Sequence, residues 1–223
     1  MHIRPEVAPF IVAALIAGGL VAAACAFLIR PWPAAGIVVA VVLAGYFLYF
    51  FRDPDRTAPA DPDAIVAGAD GVIMRIVDVR EDRHLKTDTV RISIFLSLFD
   101  VHVNRAPIAG LSKFLGYVPG EHFFTFQEKS SDHNQHNAIL IEGKKTRCLV
   151  YQIVGPVARR VVYFPDPDNV VPLEKGDRIG MMKFGSRLDM YFPKADIEVV
   201  AKVGDKVRAG ETVVARIVRK DGK

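Results

Sequence analysis

Leu173-Glu174-Lys175-Gly176-Asp177-Arg178-Ile179-Gly180 and Ala201-Lys202-Val203-Gly204-Asp205-Lys206-Val207-Arg208-Ala209-Gly210 are two renderings of one phrase, a Gly-Asp pair set between apolar residues. Glycine takes positive φ without a Cβ clash, so each pair predicts a tight turn with short strands entering and leaving it. Val66-Ala67-Gly68-Ala69-Asp70-Gly71-Val72-Ile73 predicts a further strand entry of this kind. Outward from these turns, apolar runs rich in Val and Ile occupy 72–79, 90–96, 138–141, 148–154, 160–164 and 197–202. Gly, Pro, Asp and Asn bound them, at the spacing of an all-β sandwich or barrel. Few stretches of this part sustain a helical period; 120–129 holds one short helical turn at most.

Charge divides the chain. Its 223 residues include 29 Lys and Arg and 25 Asp and Glu, yet only Arg4, Glu6 and Arg30 fall within 1–51. The remaining residues are about 30% charged, an ordinary figure for a water-soluble surface. Intrinsic disorder, collagen-like and coiled-coil classes are excluded, because hydrophobicity is not low and no short period repeats. Two cysteines, Cys25 and Cys148, build no disulfide framework, and no C-x-x-C pair suggests zinc. His133 and His136 are three apart but lack a third ligand, so no metal is expected. A net charge of +4 is too small and dispersed for a nucleic-acid footprint, and suits contact with an anionic bilayer.

Residues 8–29 and 34–51 are free of charge apart from the break between them. As helices they span roughly 33 and 27 Å, against a hydrocarbon core of about 30 Å. Arg30-Pro31-Trp32-Pro33 separates them with two helix breakers and an interfacial tryptophan. The pattern predicts a membrane-anchoring helical hairpin over 1–52, spanning the bilayer or lying within one leaflet. A cleaved signal ending near Ala22-Ala23-Ala24 is the competing reading, but the second run would still anchor the chain. Arg52 and Arg56 after that run favour a cytoplasmic main domain on a cell (inner) membrane. Proline and aspartate mark 53–63 as a linker, leaving 64–223 as the folded β domain.

Phe184-Gly185-Ser186-Arg187 carries the chemistry. A Gly-Ser pair is usually only a turn. In a strained peptide, however, the serine hydroxyl can attack the preceding carbonyl, and glycine permits the approach. Such an attack needs a base at the hydroxyl and donors for the oxyanion.

An apolar N-terminus, the Ala69-Asp70-Gly71 turn, Phe95-Leu96-Ser97-Leu98-Phe99-Asp100-Val101-His102-Val103-Asn104-Arg105-Ala106-Pro107 and Phe184-Gly185-Ser186-Arg187 occur in that order. Together they resemble the phosphatidylserine decarboxylase proenzymes, in the compact form with two N-terminal hydrophobic segments. The Gly-Asp turns resemble those of lipoyl- and biotinyl-like barrel-sandwich folds, which makes a mainly β, barrel-sandwich-like core the expected fold.

The resemblance implies a self-processing enzyme. Ser186 Oγ attacks the Gly185 carbonyl to give an ester, and β-elimination releases the upstream chain. The dehydroalanine left at 186 hydrolyses to a pyruvoyl group and ammonia. The products are a β chain of residues 1–185 and an α chain of residues 186–223, which remain associated. The pyruvoyl ketone takes up the amine of a membrane phosphatidylserine and serves as electron sink for the departing carboxylate. A homo-oligomer is compatible with this scheme.

The same resemblance makes Asp70 the carboxylate that orients a histidine serving Ser186. The longer form of the family has Asp-x-His-x-x-His where this chain has Asp100-Val101-His102-Val103-Asn104-Arg105, so Arg105 stands at the second histidine. His102 is the first candidate base, and His136, in Asn134-Gln135-His136-Asn137, the alternative. Arg105 stays charged and cannot act as a base; with Asn104 it is expected to bind substrate. Two rival readings differ in class: a biotinyl or lipoyl carrier modified on Lys183, and a non-catalytic membrane adaptor.

Overall fold

The computed structural model describes residues 2–28, 34–121, 123, 134–155, 161–183 and 186–218. The chain divides into two compact units, Met1–Asp55 and Arg56–Lys223. In the first, α1 (Ala8–Leu28) and α2 (Ala34–Phe50) are followed by a strand pair closing the ends, β1 (His2–Ile3) with β2 (Arg52–Asp53). Small residues let the helices touch: a Cβ on Gly36 would lie 2.3 Å from the Gly18 carbonyl oxygen. Small residues at such a contact let the two backbones approach closely. Phe10 meets Phe47 and Phe51 with ring centroids 5.2 and 5.0 Å apart, so the start of α1 lies beside the end of α2. Among the described residues one helical stretch, Pro5–Ala26, is long and apolar enough to cross a membrane; α2 is shorter.

The second unit is mainly β. Its strands are β3 (Ala64–Val66), β4 (Gly71–Glu81), β5 (Thr87–Leu96), β6 (Val103–Arg105), β7 (Gly110–Val118), β8 (His136–Glu142) and β9 (Arg147–Ile153). There follow β10 (Val161–Tyr163), β11 (Val171–Leu173), β12 (Arg178–Met182), β13 (Ser186–Pro193), β14 (Ile197–Val199), β15 (Lys206–Val207) and β16 (Val213–Ile217). An antiparallel sheet runs β11-β7-β8-β9-β13-β5-β4-β15, beside two three-stranded sheets, β10-β12-β6 and β14-β16-β3.

Strand β13 is central and every one of its residues is buried. Leu188, Met190 and Phe192 face the main core with Ile73, Ile92, Ile94 and Leu96. Tyr191 belongs to a second cluster on the opposite face, with Ala138, Leu149, Tyr151 and Ile153. The period-two alternation of side chains assigns Arg187 and Asp189 to that second face, and Ser186 to the main-core face.

The Gly-Asp turns are one construction used twice. Gly176 has φ +90° and Gly204 φ +96°. Asp177 accepts from the Glu174 amide at 2.8 Å, and Asp205 from the Lys202 amide at 2.8 Å. Each carries the chain between sheets rather than between hairpin neighbours: 174–177 from β11 to β12, and 200–205 from β14 to β15. The run at 120–129 lies largely outside the described residues.

Candidate functional site

Ser186 opens β13 directly across from Leu96 of β5. Its hydroxyl is fully buried and has no hydrogen-bond partner among the described residues. Leaving a buried hydroxyl unsatisfied costs about 1–3 kcal/mol, so its retention calls for a role. Phe184 and Gly185, the other half of the expected cleavage site, lie outside the described residues.

The three-stranded sheet β10-β12-β6 brings the remaining parts to this face. The Met182 amide donates to the His102 carbonyl at 3.2 Å, and Met182 precedes Ser186 by four positions. His102 is completely buried. Its Nδ1 lies 3.0 Å from the Asp100 carbonyl, which can only accept, so the neutral ring carries its proton on Nδ1 and its lone pair on Nε2. The spacing of two residues puts Asn104 on the same side of the strand as His102.

Asn104 is held by a residue absent from the sequence reading. Gln152 of β9 donates from Nε2 to Asn104 Oδ1 at 2.7 Å, while its Oε1 accepts from Asn137 Nδ2 at 3.3 Å. These bonds fix which way the Asn104 amide points, with its oxygen on Gln152 and its Nδ2 buried and without a hydrogen-bond partner among the described residues. Gln152 pairs across the sheet with Leu188, two residues from Ser186 on the same face. Gly180 makes room for it: a Cβ there would lie 2.7 Å from Gln152 Nε2.

The other expected site residues are placed differently. Asp70 accepts from Arg56 Nη2 at 2.8 Å with one oxygen and from the Ala209 amide at 2.8 Å with the other. It makes no hydrogen bond to a histidine among the described residues, and instead ties two chain segments to the start of β4. Arg105 donates from Nη1 to the Gly176 carbonyl at 2.8 Å, bracing the first Gly-Asp turn. Among the described residues no cluster of three metal-ligating side chains occurs. Lys183 ends the segment after β12, and His122 and His133 lie outside the described residues.

His136 faces the other way. It shares Ile153 as cross-strand neighbour with Arg187, and so lies on the face opposite Ser186. Its ring packs on Tyr151, centroids 4.4 Å apart, at the wall of a cavity of about 460 Å³ also lined by Arg75, Arg91 and Tyr191. Its Nδ1 contacts the Asn134 carbonyl at 2.7 Å. Burial pushes its pKa below the usual histidine value. An unfolded chain therefore binds more protons than the native one below about pH 6.5, so this stability is fully present above that pH and is lost as the pH is lowered through it. Thermal midpoints measured from pH 8 to 5 should decline below about 6.5, and decline less in His136→Gln; equal slopes would show that His136 stays neutral in neither state's favour.

The family model for phosphatidylserine decarboxylase matches residues 43–215. A phosphatidylserine decarboxylase proenzyme of Carboxydothermus hydrogenoformans is 44% identical over 172 residues, 77% of this chain and 80% of that protein. Proenzymes of the same name from Desulfotalea psychrophila and Symbiobacterium thermophilum are 37% and 36% identical, covering 80% and 90% of this chain and 82% and 91% of theirs. With such similarity over most of its length, the chain belongs to the phosphatidylserine decarboxylase family.

Proposed function

We propose that this protein decarboxylates phosphatidylserine to phosphatidylethanolamine after cutting itself between Gly185 and Ser186. The observation that carries the reading is the Ser186 hydroxyl, buried and without a hydrogen-bond partner among the described residues, at the head of a central strand in a chain of this family. An orphaned hydroxyl at that position suits a residue destined to become a pyruvoyl group. Such a group supplies a ketone that captures the substrate amine and accepts the electron pair left as carbon dioxide departs.

The chain's own residues have separable tasks. His102 Nε2 takes the proton from Ser186 Oγ as the hydroxyl attacks. Asn104 Nδ2 donates to the oxygen on which negative charge develops, and Gln152 keeps that donor turned toward it. Arg56, Asp70 and the 209 amide hold the neighbouring β4 start in place. The barrel-sandwich character of the β core, an N-terminal hairpin in the membrane and a cytoplasmic placement of residues 64–223 belong to the same proposal. An anchored site meets its lipid at high effective concentration. The carrier reading through Lys183 and the adaptor reading both require a chain that stays whole.

Intact-mass measurement on the purified protein tests this: two chains meeting at 185/186 are expected, the smaller one lacking a free amino terminus. A single full-length mass after prolonged incubation overturns the reading. The amide relay has its own test. Asn104→Leu removes one oxyanion donor and should slow self-cleavage roughly 10²–10³-fold. Gln152→Glu should slow it comparably without touching Ser186, because the new carboxylate draws the Asn104 amide around to donate to it. Cleavage at the parental rate in both variants, followed on denaturing gels, would make the relay merely structural.

A further inference from the structure

From Thr89 through Ile108 every residue is buried or half-buried except two adjacent ones, Leu98 and Phe99. Leu98 is 44% exposed and Phe99 68%. They occupy the tip of the turn between β5 and β6, a place where Gly, Asn, Asp and Ser ordinarily dominate. The turn is tightly closed. Asp100 Oδ2 accepts from both the Ser97 amide at 2.8 Å and the Ser97 hydroxyl at 2.6 Å, and the Asp100 amide donates to the Ser97 carbonyl at 3.1 Å. Asp100 thereby spends its charge inside the turn, and the tip offers no carboxylate to repel an anionic surface.

The tip sits at the rim of the candidate site. Leu96, the cross-strand partner of Ser186, lies two residues before Leu98, and His102 lies three residues after Phe99. A lipid substrate has to bring its headgroup to Ser186 while its acyl chains remain in an apolar environment. Two large apolar side chains on a closed turn at that rim supply such an environment, and little conformational entropy is lost when they enter a bilayer. Leucine and phenylalanine are among the residues that partition most readily into membranes.

We infer that Leu98 and Phe99 form a rigid wedge that inserts into the lipid bilayer beside the reaction site, a membrane contact separate from the N-terminal helices. The inference rests on the reading of Ser186 as the reacting residue only for the wedge's purpose; its insertion can be measured independently. The test uses the full chain in vesicles of phosphatidylcholine and phosphatidylserine. Trp32, the chain's one tryptophan, is changed to Phe, and a reporter is placed by Phe99→Trp. Blue-shifted emission, quenched by lipids brominated near the top of the acyl chain, is expected. Emission as in water and unaffected by bromine overturns the inference. So does shielding that depends on protein density rather than on bromine, which would mark a contact between copies of the chain.

A second measurement reads function. Leu98→Ser/Phe99→Ser should lower turnover of vesicle-embedded phosphatidylserine at least tenfold. It should leave self-cleavage and turnover of a dispersed short-chain phosphatidylserine unchanged. Equal loss on both substrates would place the pair in the catalytic pocket, and no loss on either would remove the wedge; both outcomes defeat the inference. Absence of self-cleavage in the parent would instead defeat the Ser186 reading, and the bromine result would stand by itself.

Discussion

Ser186→Ala is expected to leave the chain at its full 223 residues and without measurable decarboxylation. The substitution deletes one oxygen, and that oxygen is the only atom of the site the chemistry cannot replace: it attacks the preceding carbonyl, becomes the ester, and leaves behind the carbon skeleton of the ketone. Because the hydroxyl has no hydrogen-bond partner among the described residues, removing it strands no other buried group. Fold stability should therefore change little, which separates this variant from one that fails by unfolding. Intact mass, thermal midpoint and product formation on vesicles read the three consequences. A variant that still divides at 185/186 would show that Ser186 is not the nucleophile. Ser186→Cys keeps a nucleophile on the same carbon and should divide slowly.

The second large effect is on stability. Asp189 Oδ2 accepts from Arg187 Nη2 at 2.9 Å, and both side chains are completely buried. They alternate with Leu188 and Met190 along β13, so this ion pair lies under the second face while apolar residues fill the first. Asp189→Ala leaves the Arg187 guanidinium in the interior without its carboxylate, a loss of roughly 3–5 kcal/mol. For a chain of this size the thermal midpoint should fall by roughly 6–20 °C. Because Arg187 adjoins Ser186, self-cleavage should slow as the head of the strand shifts. Replacing both partners, Arg187→Met with Asp189→Leu, should recover part of the midpoint, since the Arg187 guanidinium no longer has to be buried without that carboxylate. An unchanged midpoint in Asp189→Ala at constant scan rate would show that Arg187 finds full compensation elsewhere.

Much of the β architecture was legible as local pattern. The apolar runs at 72–79, 90–96, 138–141 and 148–154 lie within or along β4, β5, β8 and β9. Strand β7 was not legible, because Gly110, Ser112, Lys113 and Gly116 interrupt its apolar residues and its register with β8 shifts between Phe114 and Gly116. The repeated Gly-Asp phrase announced its turns correctly, but not that each one moves the chain from one sheet to another. That depends on which strands pair, a matter of contacts far apart in sequence.

The site divides along the same line. Gly185, Ser186 and His102 were put forward through the family resemblance, since a Gly-Ser pair or a lone histidine has no such meaning by residue type alone. Asp70 and Arg105 were expected there too, Asp70 as the carboxylate orienting a histidine and Arg105 as a substrate-binding cation. Among the described residues Asp70 bonds to Arg56 and the 209 amide, and Arg105 donates to the Gly176 carbonyl. His136 was the second candidate base after His102. One residue of strand parity sends it to the opposite face, packed on Tyr151. Gln152 had no signal of its own, for its importance comes from Asn104, 48 positions away.

By itself the amino-acid order determined that a polar β domain follows an apolar segment, and it singled out one serine after glycine as the candidate for the reactive oxygen. Those properties are written in composition, alternation and covalent neighbours. Which side chains share a face with that oxygen, and which way the Asn104 amide is turned by Gln152, was decided only on folding. Strand pairing sets every side chain up or down by a single residue of register, and hydrogen bonds across the sheet then choose the orientation of each buried amide.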